Sequence, residues 1–271
     1  MSIPETRTWE EAVQWLKSQP DRADLVRACF YDDPLEASAR RFHSGTEWAA
    51  VQKLLRGRKG KALEIGAGRG IASYALARDG WQVTALEPDP SDVVGAGAIQ
   101  SLSNATATNI EVVTEWGEKL PFADASFDLV YCRAVLHHAR DLRELCAEAG
   151  RVLRAGGLML ATREHVISSK TDMDAFLKGH NLHWLYGGEN AFLLEEYLSA
   201  IRHAKLRIVE VINPLESDIN LFPDTKSSVK ARGARKLRLP SPALVPDLAL
   251  KLAGRFSQRP GRLYSFVSAK V

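Results

Sequence analysis

Three groups of residues in this chain have the types and spacing for chemistry. The first is Leu63-Glu64-Ile65-Gly66-Ala67-Gly68-Arg69-Gly70, an apolar run that opens into a GxGxG turn. Glycine at such a turn lets bare backbone approach a ligand that a Cβ would hold away. Ile71 stands where a GxGxxG dinucleotide fingerprint needs its third glycine, which disfavours a nicotinamide-dependent oxidoreductase. The second is Glu87, 17 residues beyond Gly70 at the end of another apolar run. A carboxylate there can accept both ribose hydroxyls of an adenosine and rejects a 2′-phosphate. The plainer reading of Glu87 is a solvated acid at a strand end. The third group is histidine-rich: Arg163-Glu164-His165, then His180 and His183 within GHNLHWLYGGEN. Residues three apart can share one helical face. As catalytic candidates, His165, His180 and His183 offer a general base for an acceptor proton. With Glu164 or Glu189, His180 and His183 could instead ligate a metal, or simply bond within a cap. The reading adopted assigns no metal.

Short apolar runs separated by helical patterns must position these groups. Ala62–Ile65, Gln82–Leu86, Ile110–Val113, Phe127–Cys132 and Leu158–Thr162 read as successive strands. Helices are expected over Ile71–Arg78, stopped by Gly80, after a cap at Ser91, and along the apolar face of Leu142, Leu145, Cys146, Ala149, Val152 and Leu153, closed by Gly156-Gly157. Ala191–Lys205 reads as a helix capped by Asn190, followed by strands at Leu206–Ile212 and Leu263–Ala269. The alternation predicts an α/β fold: a Rossmann-like, doubly wound, mostly parallel seven-stranded sheet. Residues 1–56 read as an N-terminal helical cap broken at Asp32-Asp33-Pro34, and 57–271 as the ligand-binding domain. Insertions are expected at about 165–190 and 213–261.

LEIGAGRG, the acid after strand two, GEKLPFADASFDLV, AVLHH and RVLRAGGLML occur in an order that resembles the class I S-adenosylmethionine-dependent methyltransferases. The chain is most similar to their ubiquinone/menaquinone-type, or type 11, group, over roughly residues 60–165. The resemblance implies S-adenosylmethionine as cofactor and an antiparallel last strand. It implies that Gly66, Ala67 and Gly68 line the methionine part, with Glu64 helping at the amino end. Glu87 would take the ribose, Trp116 and Gly117 would frame adenine, and Cys132 with Arg133 would close the pocket. The family usually carries an aspartate toward the adenine amino group, where this chain has Trp116. Either Glu115 substitutes by a one-residue shift or Trp116 stacks on the ring. His137 and His138 match the family's LHH and read as structural or pocket residues. The acceptor would sit under the cap and residues 165–190, with Tyr31, Arg41 and Phe42 over the cofactor and Trp184 and Tyr186 as an apolar wall or as ordinary packing.

The implied activity is methyl transfer to a small-molecule acceptor, with oxygen the favoured atom, on a sugar, a lipid-linked intermediate or a natural product. The alternative is a catalytically silent or regulatory protein that keeps the cofactor fold. The 271 residues, 45% apolar and 25% charged, suit a soluble globular chain with room for one large core. MSIPETRTWEEAVQW has no apolar leader, and the three cysteines have no CxxC spacing, so reduced thiols and a cytoplasmic location are expected. From Lys226 onward there are eleven Lys or Arg and one acid, net +10 against −7 for the preceding residues. Such a tail is a solvated surface, a contact for an anionic membrane, or a site for an anionic acceptor. Nucleic acid is disfavoured: aromatics are not interleaved with these charges, and Cys132-Arg133-Ala134-Val135 stands where base methylases carry an NPPY-type tetrapeptide.

Overall fold

The computed structural model describes residues 7–180 and 182–271; residues 1–6 of the expected cap and Asn181 lie outside the described residues. Alternation along each strand builds two layers of core. In β1 (Lys61–Ile65) and β4 (Phe127–Arg133), Ala62, Leu129 and Tyr131 face one side and Leu63, Ile65, Val130 and Cys132 the other. The first side packs on helices Ile71–Arg78 and Ala96–Thr106 and on the cap residues Phe42 and Trp48. The second packs on helices Leu142–Val152 and Leu194–His203.

The remaining strands are β2 (Gln82–Leu86), β3 (Ile110–Val113), β5 (Leu153–Ile167), β6 (Phe192–Leu193), β7 (Leu206–Ile212) and β8 (Arg262–Lys270). They lie in the order β3-β2-β1-β4-β5-β8-β7, with the two-residue β6 added beside β5. Strands β1 to β5 are parallel, and β8 runs antiparallel between β5 and β7, as the family resemblance implied. The order reverses at β1, which puts a ligand crevice at the carboxyl ends of β1 and β4. Register makes that crevice level: Ile65 pairs with both Leu86 and Cys132, so Gly66, Glu87 and Arg133 emerge in one row.

The cap consists of helices Trp9–Lys17, Ala23–Ala28, Leu35–His43 and Thr46–Leu55. Thr8 and Glu11 form a reciprocal capping box at its start, which satisfies two amide N–H groups. Residues 213–261 carry helices Asp218–Leu221, Lys226–Lys236 and Asp247–Arg255. No helix among the described residues is long and apolar enough to cross a membrane.

Three local expectations are corrected. Ser91 does not cap a helix: its Oγ accepts the N–H groups of Val93 and Val94 in a turn, and the helix begins at Ala96 after Gly95. Asn190 is not a cap either. The helix starts at Leu194, and Glu196 reaches back to the N–H of Leu193. The fifth strand is longer than its apolar run, because pairing with β8 and β6 carries it to Ile167. His165 is therefore a strand residue, just past a register shift between Ala161 and Glu164 where Arg163 takes a φ of 64°. That irregularity re-aims the end of the strand.

Candidate active site

A cavity of about 420 Å³ opens in the row of strand ends. Its backbone wall is the glycine turn. Gly66, Gly68 and Gly70 all have positive φ, which L side chains rarely adopt. A Cβ at Gly66 would meet Val135 Cγ2 at 2.7 Å, whereas at Gly68 the nearest atom is Val94 O at 3.9 Å, so the chain there borders open space. Glu87 lines the same space. Its Oε2 accepts the Gly68 N–H at 2.7 Å and its Oε1 the Asp89 N–H at 3.0 Å, and each oxygen keeps a second acceptor position. Burial raises the Glu87 carboxyl above its ordinary range, opposed by those two backbone bonds. Glu64, deeper in the wall, is buried completely. Burial pushes it up to about 8, while the Ser73 hydroxyl bound to it pulls the other way.

Trp116 and Gly117 form another part of the rim. A Cβ at Gly117 would lie 2.9 Å from Ile65 Cγ2, so only glycine leaves this wall undisturbed. Trp116 is half exposed, with the Arg140 guanidinium 4.1 Å from its ring centroid. Trp116 and Glu118 border the cavity, and Glu115 is not part of its lining. The arrangement fits an adenosyl ligand: bare peptide at Gly68, a buried acid one strand away, and an indole at the rim.

The cap is held over this space by charge. Arg69, from the glycine turn itself, donates to Phe30 O at 2.9 Å and to Asp33 Oδ1 at 2.7 Å. Arg133 forms a two-pronged pair with buried Glu47, at 2.7 and 3.0 Å, and lies against the rings of Phe30 and Phe42. Burial works against its charge, but Glu47 outweighs burial and holds the guanidinium above its ordinary value. Arg163 donates to the carbonyls of Ile219 and Phe222, tying the second insertion to the same corner.

The rest of the lining is a group of imidazoles and acids. The rings of His137 and His165 are 4.7 Å apart and those of His165 and His180 are 5.2 Å apart. His137 Nδ1 lies 2.7 Å from Glu164 Oε2, and His165 Nδ1 lies 2.9 Å from Gly261 O. Burial keeps both rings neutral, His137 well below its ordinary value and His165 at about 3. Glu189 faces them, with Oε2 3.8 Å from His137 Nε2 and Oε1 3.7 Å from His180 Nδ1. Trp9, Cys29, Tyr31 and Leu182 supply the apolar surface.

Residues 63–161, which contain the glycine turn, Glu87, Trp116 and the first strands of this cavity, match the family described as Methyltransferase domain. The chain is also 25% identical over 172 residues to a ubiquinone biosynthesis O-methyltransferase of Rhizobium leguminosarum, covering 60% of this chain and 67% of that protein. Residues 63–161 form a methyltransferase domain of the class I, S-adenosylmethionine-dependent, type 11 kind. Its cofactor is S-adenosylmethionine. An uncharacterized methyltransferase of Bacillus subtilis, YcgJ, is 27% identical over 129 residues, 45% of this chain and 47% of its own. Among solved structures, geranyl diphosphate C-methyltransferase of Streptomyces coelicolor has a TM-score of 0.60 at 17% identity, covering 89% of this chain and 85% of its own. The cyclase SpnF has a TM-score of 0.57 at 18% identity, covering 87% and 82%. At such identities the likeness is one of fold.

In this methyltransferase several expected residues stand elsewhere. Cys132 does not line the cavity. Strand alternation turns its side chain into the helix layer beside Cys146, while Arg133, one residue on, faces the cap. Of the expected catalytic histidines, His165 and His180 line the cavity and His183 does not. His180 ends helix Met173–Gly179 and His183 opens helix His183–Tyr186, so they share no helical face. Trp184 packs on Trp15 and Tyr186 on Trp9, and Phe42 is core, so of the expected cover only Tyr31 borders the cavity. Arg41 is paired with Asp32. The Glu47 partner of Arg133 and the cap-holding role of Arg69 carried no sequence signal, since their partners lie 86 and 36–39 residues away.

Proposed function

We propose that this methyltransferase methylates an oxygen of a small, largely apolar molecule held between the cap and the histidine group. Gly66, Ala67 and Gly68 present backbone to the methionine part, with Glu64 behind them. Glu87 receives the ribose hydroxyls on its two open acceptor positions, Trp116 and Gly117 flank the adenine, and Arg133 closes the pocket through its pair with Glu47. The cofactor supplies an electrophilic methyl group on a sulfonium sulfur. The protein's task is to align the acceptor behind that methyl, exclude water and take up one proton. Positioning of this kind is worth about 7–11 kcal/mol of barrier. The observation that carries the oxygen reading is His180: its Nδ1 is buried at the cavity with no hydrogen-bond partner, the Glu189 carboxylate standing 3.7 Å away, and burial lowers its pKa so that the neutral ring is free to accept a proton. As the acceptor O–H loses its proton to His180, the oxygen–methyl bond forms and the carbon–sulfur bond breaks. The O-methyltransferase names of the Rhizobium relatives favour the same atom.

Turnover of methyl-labelled cofactor with a panel of phenols, alcohols and amines tests this reading. Labelled ether product is expected, with turnover lowered about 10²–10⁴-fold in His180→Ala and unchanged in His183→Ala. Cofactor binding with no labelled product from any acceptor or from cell extract would favour the silent binding protein instead.

A second observation bears on where the acceptor comes from. Leu248, Leu252 and Phe256 recur every four residues along helix Asp247–Arg255 and its end, and are 64, 46 and 72% exposed. Lys226 and Lys230 pair with Asp247, Arg232 with Asp224 and Lys251 with Glu216. Arg235, Lys236, Arg238, Arg255 and Arg259 have no acidic partner among the described residues. We propose that this apolar stripe with its basic flanks rests on the anionic, cytoplasmic face of a membrane that delivers the acceptor. The segment is rooted at Asn213 and Gly261, next to the carboxyl end of β7 and the start of β8, the end of the sheet that bears the cavity. Sedimentation with phosphatidylglycerol vesicles is expected for the native chain, and not with phosphatidylcholine vesicles or for the Leu252→Ser, Phe256→Ser double variant. No sedimentation with either vesicle overturns it.

A further inference from the structure

We propose that His137, His165 and Glu189 form a site for one divalent transition-metal ion of the Zn2+ class, open toward the cavity. One ligand atom from each of the three lies within 4.8 Å of the others, and His137 Nε2 and Glu189 Oε2 are 3.8 Å apart. Ligands at about 2.0–2.2 Å from a tetrahedral centre stand roughly 3.3–3.6 Å from one another, so small side-chain movements complete the set.

The stronger argument is how each ligand atom is left free. A ligating histidine needs its other ring nitrogen held by a carboxylate or a carbonyl. Gly261 O can only accept, so His165 Nδ1 carries the proton and Nε2 keeps its lone pair. His137 Nδ1 is held in the same way by Glu164, whose two oxygens also take the N–H groups of Val135 and His137. Glu189 is pinned through Oε1 by the Tyr186 hydroxyl. Its Oε2 is buried with no hydrogen-bond partner, in a side chain only 5% exposed. An unsatisfied buried carboxylate oxygen is costly unless something fills its acceptor position. Two neutral imidazoles and one carboxylate favour a Zn2+-class ion over Mg2+ or Ca2+, which take oxygen ligands.

Three protein ligands leave a fourth position, on the cavity side, for an acceptor hydroxyl. This catalytic part rests on the proposed oxygen acceptor; the binding part does not. A hydroxyl on such an ion loses its proton near neutral pH. The proton passes to His180, which is not one of the three ligands, and the resulting alkoxide oxygen forms the bond to the methyl carbon as the carbon–sulfur bond breaks.

The test is titration of the chelator-stripped full chain with Co2+, read by visible absorption and by bound metal per chain. One Co2+ per chain with the intense absorption of a four-coordinate site, displaced by Zn2+, is expected. Glu189→Gln and His165→Ala should each weaken binding by more than the roughly 10–100-fold that loss of an outer partner costs, and His183→Ala should leave it unchanged. No saturable Co2+ binding, or binding equally tight in Glu189→Gln, overturns the site. Calorimetric titration of the same stripped chain with S-adenosylmethionine is read separately. Cofactor binding without metal binding removes the metal site and leaves the methyl-transfer reading standing.

Discussion

Glu87 Oε2 accepts the Gly68 N–H at 2.7 Å, so the acid after β2 and the glycine turn after β1 are one unit. The bond exists because Ile65 and Leu86 are paired in register, which brings the residues after them level. Glu87→Ala therefore loses a charged acceptor and also frees the turn. S-adenosylmethionine affinity should fall by roughly 1.5–3 kcal/mol, the scale of a hydrogen bond to a charged group. Calorimetric titration measures it, and an unchanged dissociation constant would show that the ribose lies elsewhere.

Gly66→Ala tests the turn from the other side. Its φ of 66° and the 2.7 Å approach of the new Cβ to Val135 both oppose the substitution. The left-handed conformation alone costs about 1–2 kcal/mol. A lowered urea midpoint with unchanged slope is expected, together with weakened cofactor binding. Gly57→Ala is the comparison: it also has positive φ but nothing within 4 Å of the new Cβ, so it isolates the backbone cost.

Arg69 ties the turn to the cap through Phe30 O and Asp33. Arg69→Ala leaves the Phe30 carbonyl without its donor under a buried surface. About 1–3 kcal/mol of stability should be lost. Limited proteolysis should show faster cleavage within residues 7–34 and no change near β7. Unaltered cleavage of the cap would mean that Glu47 and Arg133 hold it alone.

The pH dependence of stability follows from Glu64. Burial raises its carboxyl from 4.5 to about 8, so between those values the folded chain keeps a proton that the unfolded chain has lost. Its contribution is complete below pH 4.5 and is lost as pH rises through about 8. Glu64→Gln carries no such proton. Its stability relative to the native chain should rise between about pH 4.5 and about pH 8 in urea titrations and level off above. A difference that is flat with pH would mean that Glu64 is ionised in the folded chain.

Periodic and local features were legible from the residues alone. Alternating apolar runs, the glycine turn and an acid at the close of β2 depend on contacts within a strand and its following turn, so spacing records them. The antiparallel last strand came with the family resemblance, and the strand order only with the folded chain. Cys132 shows the limit of reading a motif without its pleat: one residue decides whether a side chain joins the helix layer or the cap side, and the motif alone does not say which.

What only the tertiary structure decided is which side chains meet. His137 finds Glu164 across 27 residues, Arg133 finds Glu47 across 86, and His165 finds Gly261 across 96. Glu189 and His180 come together because an insertion with no periodic pattern folds back over the end of β5. Local propensity and hydrophobic period set the elements, since those energies act between neighbours along the chain. Side-chain constellations depend on packing angles, strand irregularities and loop paths summed over the whole fold, and such information is not written at any single spacing.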